Sequence, residues 1–216
     1  MSESLMSGLA SQFGGDTIGQ LSKLVGADED QTARAVASAL PMLVGSMAGS
    51  ADSAPGVNSL FGALSNDHDG SILDDLGGLL SNSYASRVVG QDGSRILGHV
   101  FGNKQPAVEQ TVSKSAGIPM DLVARLLPIL APIVMGYIGR RLRGDGLDAG
   151  GLGSVLGGER EAARQQDPGL GGLFDILGGG GAGTASDDSG GGLMDMAGDL
   201  LQGPAGRAIL GQILGR

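Results

Sequence analysis

The chain has 216 residues, with 23 acidic and 14 basic side chains, a formal charge of -9, 42 glycines, 3% aromatic residues and no cysteine. The missing thiols exclude disulfide staples, thiolate metal sites and cysteine nucleophiles, and the negative charge repels a phosphate backbone unless the cations gather on one face. A core must then rest on Leu, Ile, Val, Met and Ala brought close by glycine, which suits small, tightly packed helices.

In chain order, the opening MSESLMSGLA shows no basic stretch ahead of an apolar core, so no export signal is read there and a cytoplasmic location is expected. A short amphipathic helix ends at Gly26, and a second starts near Asp28, where Asp28, Glu29 and Asp30 suit the positive end of a helix dipole. Its continuation over residues 30–48 reads as a buried rod. LFGAL follows at 60–64, then NDHDGSILDDLGGLL, in which Gly70 makes a turn, Ser71 caps a helix, Asp74 takes the capping-box position and Leu73, Leu76, Leu79 and Leu80 form the buried stripe. ILGHVFG lies at 96–102.

Residues 112–136 repeat residues 21–45 without a gap at a shift of 91 positions. Ser22, Lys23, Gly26, Asp30, Ala33, Arg34, Pro41 and Gly45 meet Ser113, Lys114, Gly117, Asp121, Ala124, Arg125, Pro132 and Gly136. Later blocks follow the same order: LFGAL resembles LGSVL at 152–156, SILDDLGGLL resembles GLMDMAGDLL at 192–201, and ILGHVFG resembles ILGQILG at 209–215. Such self-similarity predicts an internal duplication. The expected organisation is a first helical repeat over 1–104, the N-terminal part of a second over 105–156, a flexible Gly-rich insertion over 157–191, and C-terminal helices over 192–216 that complete the second repeat.

Residues 126–143, LLPILAPIVMGYIGRRLR, raise the question of a membrane span. The uncharged run is 14 residues, whereas a span needs about 20, and its partner AVASALPMLVGSMAG at 35–49 is milder and lacks a basic flank. It reads as a central core helix, kinked by Pro128 and Pro132, with Arg140, Arg141 and Arg143 at the negative end of its dipole and Gly144 just past its stop. Gly45, Gly136 and Gly139 are expected to let helix backbones approach closely.

Two patterns invite a sharper function. Leu21, Val25, Ala27 and Ala35 around Gly26, mirrored by Val112, Ala116, Ile118 and Leu126 around Gly117, have the spacing of a DNA-binding helix-turn-helix. The helices that would read bases carry Asp28, Glu29, Asp30 and Asp121, with only Arg34 and Arg125 for phosphate, so a structural turn is the better reading. Asp67, His68, Asp69, Asp74 and Asp75 hint at a cation loop, but Ser65 and Leu76 stand where its first and closing ligands belong. His99 faces Gln212 in the later copy and reads as a surface residue. No phosphate loop, no G-x-S-x-G setting and no triad material is present.

ALPMLVGSMAG, NSLFGAL, NDHDGSILDDLGGLL, ILGHVFGNKQPAVEQTVSKSAG, LAPIVMGYIGR and LDAGGLGSVLGGE together resemble the bacterial domain-of-unknown-function 937 family, related to the YidB-like proteins. The resemblance covers most of residues 18–158 and implies a small, all-helical, cytoplasmic protein, with no activity to carry over. The reading is therefore an all-α, multihelical, internally duplicated protein with a Gly-rich insertion. It is expected to be no enzyme, with no catalytic, cofactor-binding or metal residues, and to act as a scaffold or interaction module binding a protein partner or itself. Nucleic acid, a transmembrane span and a small-molecule substrate are not expected. A DNA-binding regulator and an envelope-associated protein are the alternatives.

Overall fold

The structure is a computed structural model in which residues 4–166 are described. Within them the protein is all-α: α1 (Leu5–Ser11), α2 (Gly15–Val25), α3 (Glu29–Ser50), α4 (Ala54–Asn66), α5 (Leu76–Ser81), α6 (Ser83–Val100), α7 (Gln105–Ala116), α8 (Met120–Gly144) and α9 (Ala149–Gln166). Single 3₁₀ turns at Ser71–Leu73 and Gly102–Lys104 complete the set, and no strand occurs among the described residues.

The starts and stops follow local chemistry. α2 and α7 end at Gly26 and Gly117, both left-handed (φ 75° and 67°), a conformation that costs glycine nothing and other residues 1–2 kcal/mol or so. Their amides bond back to Ser22 and Ser113, which meet under the 91-residue shift. α3 starts as expected: the Asp28 carboxylate accepts from the amides of Asp30 (2.9 Å) and Gln31 (3.4 Å). Pro119 is the extended residue immediately before α8. At the other end Gly144 is the last helical residue, not the one beyond, and Gly146 supplies the positive φ (62°). Pro41, Pro128 and Pro132 lie inside α3 and α8, and both helices run through them.

α3 and α8 form the centre and touch each other; α6, α7 and α4 lie on α8, while α9, α7 and α2 lie on α3. The apolar core runs through both rods, from Ala35, Ala39, Leu43 and Met47 to Leu126, Leu127, Leu130 and Ile133. α8 is long and apolar enough to cross a membrane by length and composition, and 72% of its most apolar window is buried inside this fold. Such burial is what a core helix requires, since each enclosed Leu or Ile contributes about 1.5–3 kcal/mol. Arg34 and Arg125, equivalent under the shift, make reciprocal contacts. Arg34 Nε donates to the carbonyl of Ala116 at the end of α7 (3.1 Å), and Arg125 donates to that of Val25 at the end of α2 (3.5 Å). Each cation thus meets carbonyls that a helix end leaves unpaired.

Two further local expectations need correction. α9 continues through Gly157 and Gly158 to Gln166, so the boundary expected at 156/157 falls inside a helix. Its Glu159 explains why: the carboxylate accepts from the amide of Leu5 (2.6 Å), and Arg160 pairs with Asp52 (2.6 Å), giving this stretch long-range partners. The rest of the expected insertion, 167–191, and the expected C-terminal helices, 192–216, lie outside the described residues. The second correction concerns residues 69–80. Gly70 does make the turn (φ 86°), but Asp69, not Ser71, caps it by accepting from the Ser71 amide (3.0 Å), and Asp75 caps α5 through Gly78 (2.8 Å). Asp74 turns away to Arg140 (2.6 Å). Leu76 and Leu80 are buried, while Leu73 and Leu79 are only partly so. Two glycines within α5 shorten the helix, and the first acidic residue that can reach an amide takes the cap.

Candidate functional site

α4 is an apolar helix that the fold leaves half uncovered. Its 13 residues, APGVNSLFGALSN, contain no charge, yet only Leu64 is buried, with Val57, Leu60, Phe61 and Ala63 partly covered. Its start is pinned where a Cβ at Gly56 would overlap the Ser50 carbonyl of α3, and Ser53 caps it through the Gly56 amide (3.2 Å). Its end is pinned to α8: a Cβ at Gly139 would run into the carbonyls of His68 and Leu64.

Across from α4 stands α6, and between them opens a cleft of ≈ 1080 Å³. Leu60, Gly62 and Ala63 of α4 form one wall, Ile96 and Val100 of α6 the other, and Met47 of α3 and Met135 of α8 the floor. Gly62 has no atom within 4 Å of where its Cβ would be, which leaves a bare notch in the α4 wall. The rim is polar: Asn58, Ser59, Asn66, Asp67 and His68 on one side, Asp92, Arg95 and His99 on the other. Asp92 and Arg95 are 3.9 Å apart and exposed, a separation at which a surface pair is worth little.

The turn that closes one end of the cleft is held by α8. Arg140 donates to the Gly70 carbonyl and to Asp74, and Arg143 lies 3.7 Å from Asp69. A Cβ at Gly70 would press on Arg140 and the Gly136 carbonyl, so the turn needs glycine both for its φ and for this approach. The Ser71 hydroxyl and amide, aided by Arg143 and Arg140, hold the Asp69 carboxyl below the ordinary carboxylate range. Gly136 and Gly139 thus act as expected, letting backbone approach α8.

The residues singled out in the sequence separate into different places. Asp67, His68 and His99 reach the cleft rim; Asp69, Asp74 and Asp75 are taken up in capping and ion pairing; Arg34 and Arg125 cap opposite helices. Among the described residues no three His, Asp or Glu side chains converge on one centre. The spacing around Gly26 and Gly117 is filled by packing, since Leu21, Val25, Ala35, Val112, Ala116, Ile118 and Leu126 are all buried. The sequence reading missed the cleft itself. Its one advance signal was an uncharged helix with no glycine-free apolar stripe wide enough to bury.

The arrangement offers a deformable apolar floor under a polar rim. Thioether side chains adapt to irregular partners, and a groove between two helices of this kind is what an apolar helix face enters.

The model of one protein family, bacterial proteins of unknown function (DUF937), matches residues 7–141, which include every residue lining the cleft. No curated protein and no solved structure matches the chain. With well over half of its length matched, the chain belongs to the DUF937 family of bacterial proteins of unknown function.

Proposed function

We propose that this protein is a non-catalytic, cytoplasmic interaction scaffold whose cleft between α4 and α6 receives an amphipathic helix of a partner protein. The supporting observation is α4, an uncharged helix with a single buried residue, facing a floor of Met47 and Met135. Its occupant is a helix with Leu, Ile or Met on one face, inserted between the walls, and polar ends that meet Asp67, Asp92 and the two histidines. The α8 rod is a core element in this reading, not a membrane anchor.

The test compares two variants in affinity capture from the native cell, read by mass spectrometry. Leu60→Arg places a charge on the cleft wall, and Arg87→Glu alters the exposed surface elsewhere. A partner recovered with wild type and with Arg87→Glu, and lost with Leu60→Arg, is the expected result. The same proteins recovered with all three would overturn the proposal. The rival readings have direct tests as well: retention of duplex DNA on a filter at low salt, where attraction is greatest, or flotation with anionic vesicles. Either result would displace the scaffold reading.

A further inference from the structure

The cleft between α4 and α6 does not end at its polar rim. A second hollow of ≈ 370 Å³ continues along α6 toward its N-terminus, with Ile72, Val89 and Pro132 in its lining, and it shares Asp67, His68, Asp92 and Arg95 with the cleft. Together they make one groove beside α6 from Val88 to Val100, about 18 Å at 1.5 Å per residue, apolar at both ends and charged at its waist. α6 is the ridge along this groove, and its crest is uncovered. Tyr84, Val88 and Met120 are the large apolar side chains exposed among the described residues, at 75%, 48% and 42%, and the first two stand one turn apart on α6.

A ridge beside a groove fits a second copy of itself, because a two-fold axis lays each ridge in the other's groove. The charges obey the same symmetry. Asp92 and Arg95 line the groove, their side chains 45% and 78% exposed and 3.9 Å apart, a pair worth little by itself. With two α6 helices antiparallel about an axis midway between these residues, Asp92 of each copy meets Arg95 of the other. In that register Val88 comes level with His99 of the other copy and enters the lobe lined by Leu60, Ile96 and Val100. Net charge also favours this place over others. α4 carries no charge and α6 holds Arg87 and Arg95 against Asp92, so the two helices brought together contribute none of the chain's formal -9.

We propose that the occupant of the groove is α6 of a second copy of this chain, in a two-fold dimer where Asp92 and Arg95 pair reciprocally. The proposal rests on the reading of the cleft as a helix-binding interface and names its occupant. Each α6 then lies between the α4 and the α6 of the other copy. Charge exchange in the full chain, followed by sedimentation equilibrium, tests it. Wild type should dimerise, and so should Arg87→Glu, since Arg87 lines neither hollow. Asp92→Arg alone and Arg95→Asp alone each set like charges together across the axis, and each should raise the dimer dissociation constant about tenfold or more. Circular dichroism should be unchanged in both, because the replaced side chains are exposed. Mixed in equal amounts, these two variants should regain a dimer of wild-type strength, since opposite charges then face each other at both pairs. Wild type that stays monomeric up to about 0.1 mM, or a mixture as weak as either variant alone, would overturn the second copy as occupant. A dimer that survives Leu60→Arg would overturn the seating of α6 in the cleft. The underlying reading fails separately: a foreign helix captured by wild type and lost with Leu60→Arg, while charge exchange fails, refutes the dimer alone.

Discussion

Gly93 gives the sharpest check on how α6 is held. In an exposed helix Gly→Ala stabilises by about 0.8–1 kcal/mol, since alanine loses less backbone freedom on folding. At Gly93 the added Cβ would overlap the Pro128 carbonyl, and that obstacle is backbone of the central rod, which cannot swing aside as a side-chain tip does. α6 must move outward, loosening Ile96, Leu97 and Phe101, all buried at 8%, 0% and 4% exposure. Overpacking of this kind costs about 1–3 kcal/mol, and a rigid target favours the upper half of the range. After the helix-propensity gain is offset, Gly93→Ala should lose about 1–2 kcal/mol. Gly98 is the control: it lies in the same helix with nothing within 4 Å of its Cβ position, so Gly98→Ala should gain up to about 1 kcal/mol. Urea unfolding followed by circular dichroism measures both, with the midpoints moving in opposite directions at an unchanged slope. If Gly93→Ala equals or exceeds wild type in stability, the close contact between α6 and α8 is not as described.

Other expectations follow from the same packing. Leu126→Ala in α8, at a position 1% exposed, should cost about 2–5 kcal/mol in the same assay; a loss below 1 kcal/mol would mean that the rod is not a core element. Arg140→Ala removes the donor to Gly70 and Asp74. The exposed ion pair adds little, so a cost of about 1–2 kcal/mol from the charged hydrogen bond to the carbonyl is expected, together with faster amide exchange across residues 70–75. Asp69→Asn tests the pH dependence. The folded-state pKa of Asp69 is lowered, first by the Ser71 hydroxyl and then by its amide and the nearby arginines. A depressed carboxylate stabilises the fold above its unfolded value of about 3.9 and loses that contribution as pH falls through the folded value. The variant should therefore be less stable than wild type near neutrality and converge with it in acid, and a difference that persists unchanged in acid would refute the assignment.

Much of the architecture was legible in the sequence because the signals were local. Gly26 and Gly117 each end a helix since a left-handed residue is needed there, and Asp28 caps the next because its oxygen reaches two amides; neither depends on distant residues. Most of the run at 126–139 is buried, as a core helix requires. The misreadings arose where a distant partner competes with a local one. Asp74 satisfies the capping-box spacing, but its carboxylate lies 2.6 Å from Arg140, 66 residues later, while its neighbour Asp75 reaches the Gly78 amide and caps α5. Gly157 and Gly158 look like the start of a linker, but Glu159 and Arg160 meet Leu5 and Asp52, which repays the ordering of two glycines.

The cleft was hidden for a related reason. A helix pattern tells which side chains would prefer cover, not whether another helix arrives to give it. In α4 the apolar residues are spaced by Gly56, Asn58, Ser59 and Gly62, so its side toward α8 and α9 is narrow and closes on Leu64 alone. α6 approaches α8 instead, because Gly93 permits contact at Pro128 that α4 cannot make there. The gap between α4 and α6 is thus fixed by where the glycines allow close approach: at Gly139 for the end of α4, at Gly93 for α6, and nowhere between the two helices themselves. Replacing Gly93 should therefore disturb the cleft as well as the fold, and a partner whose binding weakens in Gly93→Ala but survives Gly98→Ala would tie the interaction surface to that one contact.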